Sequence, residues 1–320
     1  MREEPHLKIY SDRSMLVHED GSVEVFAEGK QAPSALQRYK HIKENLSSGW
    51  FENLVVEVSR DPALLSPLSE NDTEFINNLV NAFNSEYGRA VVGLFVVQLV
   101  VKSLAQDQSI RLHKGGSSQF SWIEGISMRS IDSQFITPVL RKYNLLSVNA
   151  DGVFMTRTLA ENYPYTRFYK ASIRGVRDTW LELVDRVESR QLEPFSALKY
   201  VLACLFNRTQ EFSKSVETTL KALEQLLATP SLSPSQLPPI IKQHISGSTY
   251  SARLLEIAVH SFLQVLDERG YLEGKLVPLC QMRTANKKHR NIADVEIVSP
   301  TNEKVVLESM SKSEVVSDEN

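Results

Sequence analysis

Apolar residues recur at helical spacing over about 33–48, near 73–85 and over 88–106, and each stretch predicts a helix. Between the first two, "NLVVEVS" (53–59) is rich in β-branched residues and predicts a strand. The run "AVVGLFVVQLVV" (90–101) is apolar all round but only 12 residues long and contains a glutamine. It predicts a buried helix rather than a membrane span. Nearer the start, "EDGSVEVFAEGK" predicts a small hairpin turning at Asp20-Gly21.

Beyond residue 111 the texture changes. "DSQFITPVLRKYN" carries apolar residues at helical spacing, and "LLSVNADGVFMTR" after it predicts a strand, an Asp151-Gly152 turn and a second strand. Helix then hairpin is the back half of a winged helix, in which the helix enters the major groove and the wing lies along the backbone. From 169 to 228 helix follows helix, and the proline- and serine-rich "ATPSLSPSQLPP" (228–239) marks a domain boundary. A long amphipathic helix (249–270), a strand near "KLVPL", a basic run, and "NIADVEIVSPTNEKVVLESMSK" (291–312) complete the pattern. The last reads as two strands joined around Pro300 and Asn302. The expected fold class is α+β, mostly helical, with regions 1–110 (α+β), 111–228 (winged-helix-like segment and helical bundle) and 240–320.

Composition adds little to this picture. At 320 residues, 42% hydrophobic and 23% charged, the chain is ordinary for a globular protein of two or three domains. Cys204 and Cys280 have no CxxC spacing, which predicts neither zinc nor disulfides and suits a reducing cytoplasm. The first residues lack the pattern of a signal peptide, and no membrane role is expected. Net charge is −3, yet residues 111–177 carry ten Lys or Arg against four Asp or Glu, about +6 locally. That excess on a helix-hairpin pattern makes Arg129, Arg141, Lys142 and Arg157 candidate phosphate contacts, and Ser133, Gln134 and Thr137 candidates for reading base edges. A helix-hairpin that only packs, or that binds protein, fits the same residues.

The terminal hairpin carries the candidate chemistry. Side chains two apart share a face, so Asp294 and Glu296 point one way and Val295 and Ile297 the other. Val306, Glu308, Met310 and Lys312 share one face of the second strand. Pairing across the turn puts Asp294 and Glu308 on one side, where two carboxylates repel unless a cation such as Mg²⁺ lies between them. Acids on the solvent side of a hairpin are also ordinary.

A helix with an inward acid, a strand, an acid-bearing strand and another acid-bearing strand, over about 249–312, resembles the front half of a PD-(D/E)xK nuclease core. "QMRTANKKHRNIADVEI" together with "GISMRSIDSQFITPVLRKYNLLSVNADGVFMTRTLAENYPYT" is similar to a family of type II restriction endonucleases encoded beside DNA methyltransferases. The resemblance implies that Asp294 and Glu308 hold Mg²⁺ with help from Glu256, and that Arg283, Lys287, Lys288, His289 and Arg290 grip DNA. It implies a cytoplasmic, site-specific endonuclease of a restriction-modification system acting on double-stranded DNA, as a homodimer that matches a twofold site. The family's lysine two residues after the glutamate is replaced by Met310, leaving Lys312 as the substitute. The chain also stops before the family's next helix and strand, so a truncated member, binding DNA better than it cuts it, is expected. A non-catalytic DNA-binding regulator using the winged segment is the alternative. "HKGGSS" (113–118) lacks the Lys-Ser/Thr ending of a phosphate loop, and His260 reads as a packed helix residue.

Overall fold

Asp20 accepts hydrogen bonds from the Ser22 amide (2.8 Å) and hydroxyl (2.6 Å), and Gly21 sits at φ +85°, so the expected turn forms where the sequence places it. In the computed structural model, residues 4–60, 68–117, 119–171, 173, 175–228, 239, 241–243, 251–279, 295–299 and 304–307 are described. They fall into two compact units, Met1–Thr218 and Thr219–Asn320. The described residues are mostly helical with two small sheets.

The first unit opens with an antiparallel meander of β1 (His6–Ile9), β2 (Arg13–Val17) and β3 (Val23–Ala27). Leu16 and Phe26 from its covered face form a small core with Leu112 and Trp122. The segment around Trp122 lies along the sheet: Glu28 bridges Trp122, and the Ile123 amide donates to the Ala27 carbonyl. Helices α1 (Pro33–Ser47), α2 (Trp50–Arg60), α3 (Glu70–Asn81) and α4 (Glu86–Leu104) follow. The expected strand at 53–59 is instead the body of α2. Phe51, Leu54, Val55 and Val58 recur at i, i+3, i+4 and i+7, and that buried stripe outweighs the β-preference of the valines.

α4 is the centre of the unit. It buries residues on every side, as the all-apolar run requires. Both ends of its buried side-chain amide are engaged: Gln98 Nε2 donates to the Ile110 carbonyl (3.0 Å), and Gln98 Oε1 accepts from Trp180 Nε1 (2.8 Å). Around it pack α5 (Met128–Ile131), a π turn (Asp132–Ile136), α6 (Thr137–Lys142), α7 (Arg177–Glu188) and the start of α8 (Pro194–Ala228). One hydrophobic core runs from Ile42 to Leu205 and includes residues on both sides of position 110. Pro138 has no N–H to give the carbonyl four residues back, and the helix widens to the π turn just before it.

The expected wing hairpin at 145–157 is not built. Gly152 makes the turn, at φ +98° with its amide on the Asn149 carbonyl, but no strands flank it. Two short 3₁₀ turns follow, Val153–Met155 and Arg157–Leu159. Leu146, Val148 and Val153 pack down on α4 at Gly93, where an added Cβ would meet Val153 Cγ1 at 2.6 Å and Leu146 Cδ2 at 3.1 Å. Burial against the helix satisfies the alternation that otherwise reads as two pairing strands.

In the second unit α9 (Ser251–Glu268) precedes an antiparallel meander of β4 (Lys275–Leu276), β5 (Val295–Val298) and β6 (Lys304–Leu307). Leu263, Leu276 and Val295 form its core with Val259, Leu266, Leu272 and Ile297 packed around them. His260 Nε2 lies 3.0 Å from the carbonyl of Val277 and ties the helix to the residue that follows β4. The boundary segment 228–239 lies almost wholly outside the described residues.

Candidate functional site

In the second unit the register pairs Val295 with Leu307, Glu296 with Val306, Ile297 with Val305 and Val298 with Lys304. Val295 and Ile297 belong to the core under α9, so Glu296 occupies the opposite face, and it is 2% exposed. The acid-bearing face of β5 is therefore paired with the Val306 face of β6, the two faces to which the sequence assigns Asp294 and Glu308. Asp294, Glu308 and Lys312 themselves, and the basic run Arg283, Lys287, Lys288, His289 and Arg290, lie outside the described residues. Glu256 is half-buried on α9, one helical turn before His260 and two before Leu263, on the stripe that faces the sheet. Among the described residues no group of three or more His, Cys, Asp or Glu is arranged to hold a metal ion. The expected donors are all carboxylate oxygen, of the kind a hard divalent cation takes, but Glu256 lies on the α9 side of the sheet, across the strands from the face to which the sequence assigns Asp294 and Glu308.

In the first unit the candidate DNA contacts divide. Gln134 is exposed on the π turn and Arg157 is exposed in the second 3₁₀ turn. Arg141 donates to the Val148 carbonyl (2.6 Å) and so braces the loop behind α6. Lys142 pairs with Glu52 (2.5 Å), which also accepts from the Tyr143 hydroxyl (3.1 Å), and this contact holds the Glu52 carboxyl below its ordinary range. Ser133 is half-buried. Thr137 is a correction, because it is fully buried and donates to Asp132 Oδ1 (2.7 Å), which takes it away from any base edge.

Arg129 stands apart from these. It lines a cleft of about 560 Å³ with His113, Lys114, Gly115, Ser117, Gln119, Phe120, Ser127, Phe154, Ala160 and Asn162, and none of these lining residues is acidic. The Arg129 guanidinium donates to the Phe154 carbonyl (2.8 Å), which fixes it at the cleft wall. Lys114 Nζ reaches Asn162 Oδ1 and lies 5.7 Å from the centre of the Phe120 ring. The loop that carries Lys114 is held by close backbone approach: a Cβ on Gly115 would stand 2.0 Å from the Gly125 carbonyl oxygen. Gly116, at φ +71°, gives its amide to Ser121 Oγ (3.0 Å).

Charges in and beside the cleft are strained. Partial burial lowers the Lys114 pKa, Arg129 lowers it further, and the exposed Glu161 opposes them. His113, 2% exposed, stacks on Tyr165 (4.5 Å) and faces Phe154 (6.0 Å). Burial, reinforced by Lys114, pushes its pKa down to about 3, so the ring is neutral. The carbonyls of Ala160 and Glu161 favour the charged ring, yet neither ring nitrogen reaches hydrogen-bond geometry with any described group. Behind the wall, Asp132 accepts from Thr137 and from the Val153 amide (2.7 Å), and burial raises its pKa to about 6.

Sequence reasoning missed this cleft, although "HKGGSS" marks its loop. No protein-family model, curated protein or solved structure matches the chain.

Proposed function

We propose that the chain is a Mg²⁺-dependent endonuclease that cuts double-stranded DNA at specific sequences, with the hydrolytic carboxylates in the second unit. The observation that carries this reading is the α9-β4-β5-β6 order, whose register pairs the acid-bearing face of β5 with the Val306 face of β6. Asp294 and Glu308 would hold the ion, which when bound polarises the phosphate and makes hydroxide available from water near neutral pH, while Glu256, on the α9 side of the sheet, would not reach it. Lys312, two residues beyond the Met310 that stands where the family has lysine, orients the attacking water. The basic run 283–290 grips the strand through Arg283, Lys287, Lys288 and Arg290. The apolar face under α9 packs β4 and β5 onto the helix, the kind of rigid support that a pair of catalytic carboxylates needs.

Incubating the full chain with plasmid DNA tests this directly. Discrete fragments are expected with Mg²⁺, forming slowly for a chain that binds DNA better than it cuts it because Met310 stands at the lysine position, and none with a chelator; Asp294→Asn or Glu308→Gln is expected to abolish cutting while leaving DNA binding in place. Absence of Mg²⁺-dependent cutting, with retained binding to duplex, would replace the proposal with that of a DNA-binding protein without catalysis. Arg129 in its acid-free cleft is the observation that favours this second reading.

A further inference from the structure

We infer that the cleft between the 113–120 loop, Arg129 and the 154–162 segment is a binding site for a phosphate group, gripped by Lys114 and Arg129. Three observations converge on it. Two cations line one concave surface, and no acidic residue lines it with them. An oxyanion between them would turn their mutual repulsion into two charge-assisted contacts. Lys114 is also partly desolvated and feels Arg129, so its ammonium is less favourable than in water until an anion arrives.

The third observation is independent of charge. His113 is 2% exposed, lines the same cleft, and has both ring nitrogens without a hydrogen bond among the described residues. The carbonyls of Ala160 and Glu161 lie beside the His113 ring without meeting hydrogen-bond geometry, so a ligand hydroxyl or phosphate oxygen that reaches a ring nitrogen would supply the bond they do not. Its low pKa keeps it neutral, so it offers a donor or an acceptor rather than a third positive charge. Ser127 and Asn162 add a hydroxyl and an amide at the rim. The cleft volume of about 560 Å³ falls within the range of small-ligand sites, which admits either a free mononucleotide or one nucleotide of a strand.

The site differs from a phosphate loop in its mechanics, which explains why "HKGGSS" fails that template. The glycines serve close packing of Gly115 on Gly125 and the left-handed turn at Gly116, and the grip comes from side chains brought together from two separate segments. The inference rests on the cleft alone and does not depend on DNA cleavage by the second unit.

Binding of the full chain to inorganic phosphate, to a deoxynucleoside monophosphate, to a short single strand and to a duplex, all at one ionic strength, tests it. Lys114→Gln retains a partner for Asn162 but removes the charge. It is expected to weaken binding of at least one of these probes by about 10- to 100-fold, the cost of a charged hydrogen bond. Loss confined to phosphate and the monophosphate assigns the source to a free nucleotide, and loss confined to the strands assigns it to a nucleic-acid backbone. Either outcome supports the site. Unchanged affinity for every probe overturns it. A second measurement needs no variant: in the native protein the most affine probe should protect Lys114 from acylation, read by peptide mass spectrometry, and unprotected acylation at saturating probe overturns the inference as well.

Discussion

Replacing Asp132 by Asn should change the pH dependence of stability more than its acid-side value. The carboxylate is 1% exposed and holds Thr137 Oγ1 and the Val153 amide, yet burial lifts its pKa from 3.8 to about 6. A raised carboxyl pKa in the folded state gives a contribution fully present below the unfolded value and lost as pH rises through the folded one. Two pKa units at about 1.4 kcal/mol each put that loss at about 3 kcal/mol, spread between about pH 4 and pH 6. Asparagine cannot ionise. Its Oδ1 can accept from Val153 and its Nδ2 can donate to Thr137 Oγ1, so both contacts survive. The unfolding free energy of Asp132→Asn minus that of the native chain should therefore rise by about 3 kcal/mol between pH 4 and pH 7. Urea titrations followed by circular dichroism at half-unit steps of pH measure it. A difference that stays flat across this window would refute the assignment of Asp132 as a carboxylate held against its ionisation by burial.

Two further outcomes follow from packing and charge in the same unit. Gly93→Val drives methyl groups into Val153 and Leu146, and overpacking of this kind should lower stability by about 1–3 kcal/mol in urea, whereas Gly21→Ala, with open space around it, should respond only to its positive φ. Glu188→Ala strips the partner from Lys102 (2.7 Å, side chain 9% exposed) and from the Ser109 hydroxyl and Ile110 amide. It should cost about 3–5 kcal/mol, with much of it recovered in the double variant that also carries Lys102→Met, and a double-variant loss equal to the sum of the two single losses would show that the pair is not coupled.

Much of this fold is legible in the sequence where one periodicity acts alone. α1, α3, α4 and α9 follow from spacing, Ser69 caps α3 through the Asp72 amide, and Asp20-Gly21 makes its turn by local hydrogen bonds. The failures arise where tertiary burial reuses a local signal. The valines of α2 favour a strand in isolation but share a helical stripe with Phe51 and Leu54. Leu146, Val148 and Val153 alternate like a hairpin, yet each is buried beside α4. The cleft was unreadable for a different reason: Lys114 and Arg129 belong to separate segments, and no spacing rule joins them. In the second unit, alternation correctly anticipates which of Val295, Glu296 and Ile297 face the helix.

The central helix also bears on how the chain is made. Gln98 is satisfied partly by Trp180, 82 residues later in the chain. At about 5–20 residues per second, a ribosome takes roughly 4–16 s to deliver that partner after Gln98 itself is synthesised. Throughout that interval the run 90–101, rich in valine and without proline or charge, has no α7 to cover it. Such a segment has the composition of a β-aggregating stretch. Soluble yield of this protein should consequently be governed by the pace of translation between α4 and α7, and by chaperones that bind the nascent helix, more than by the melting temperature of the finished fold.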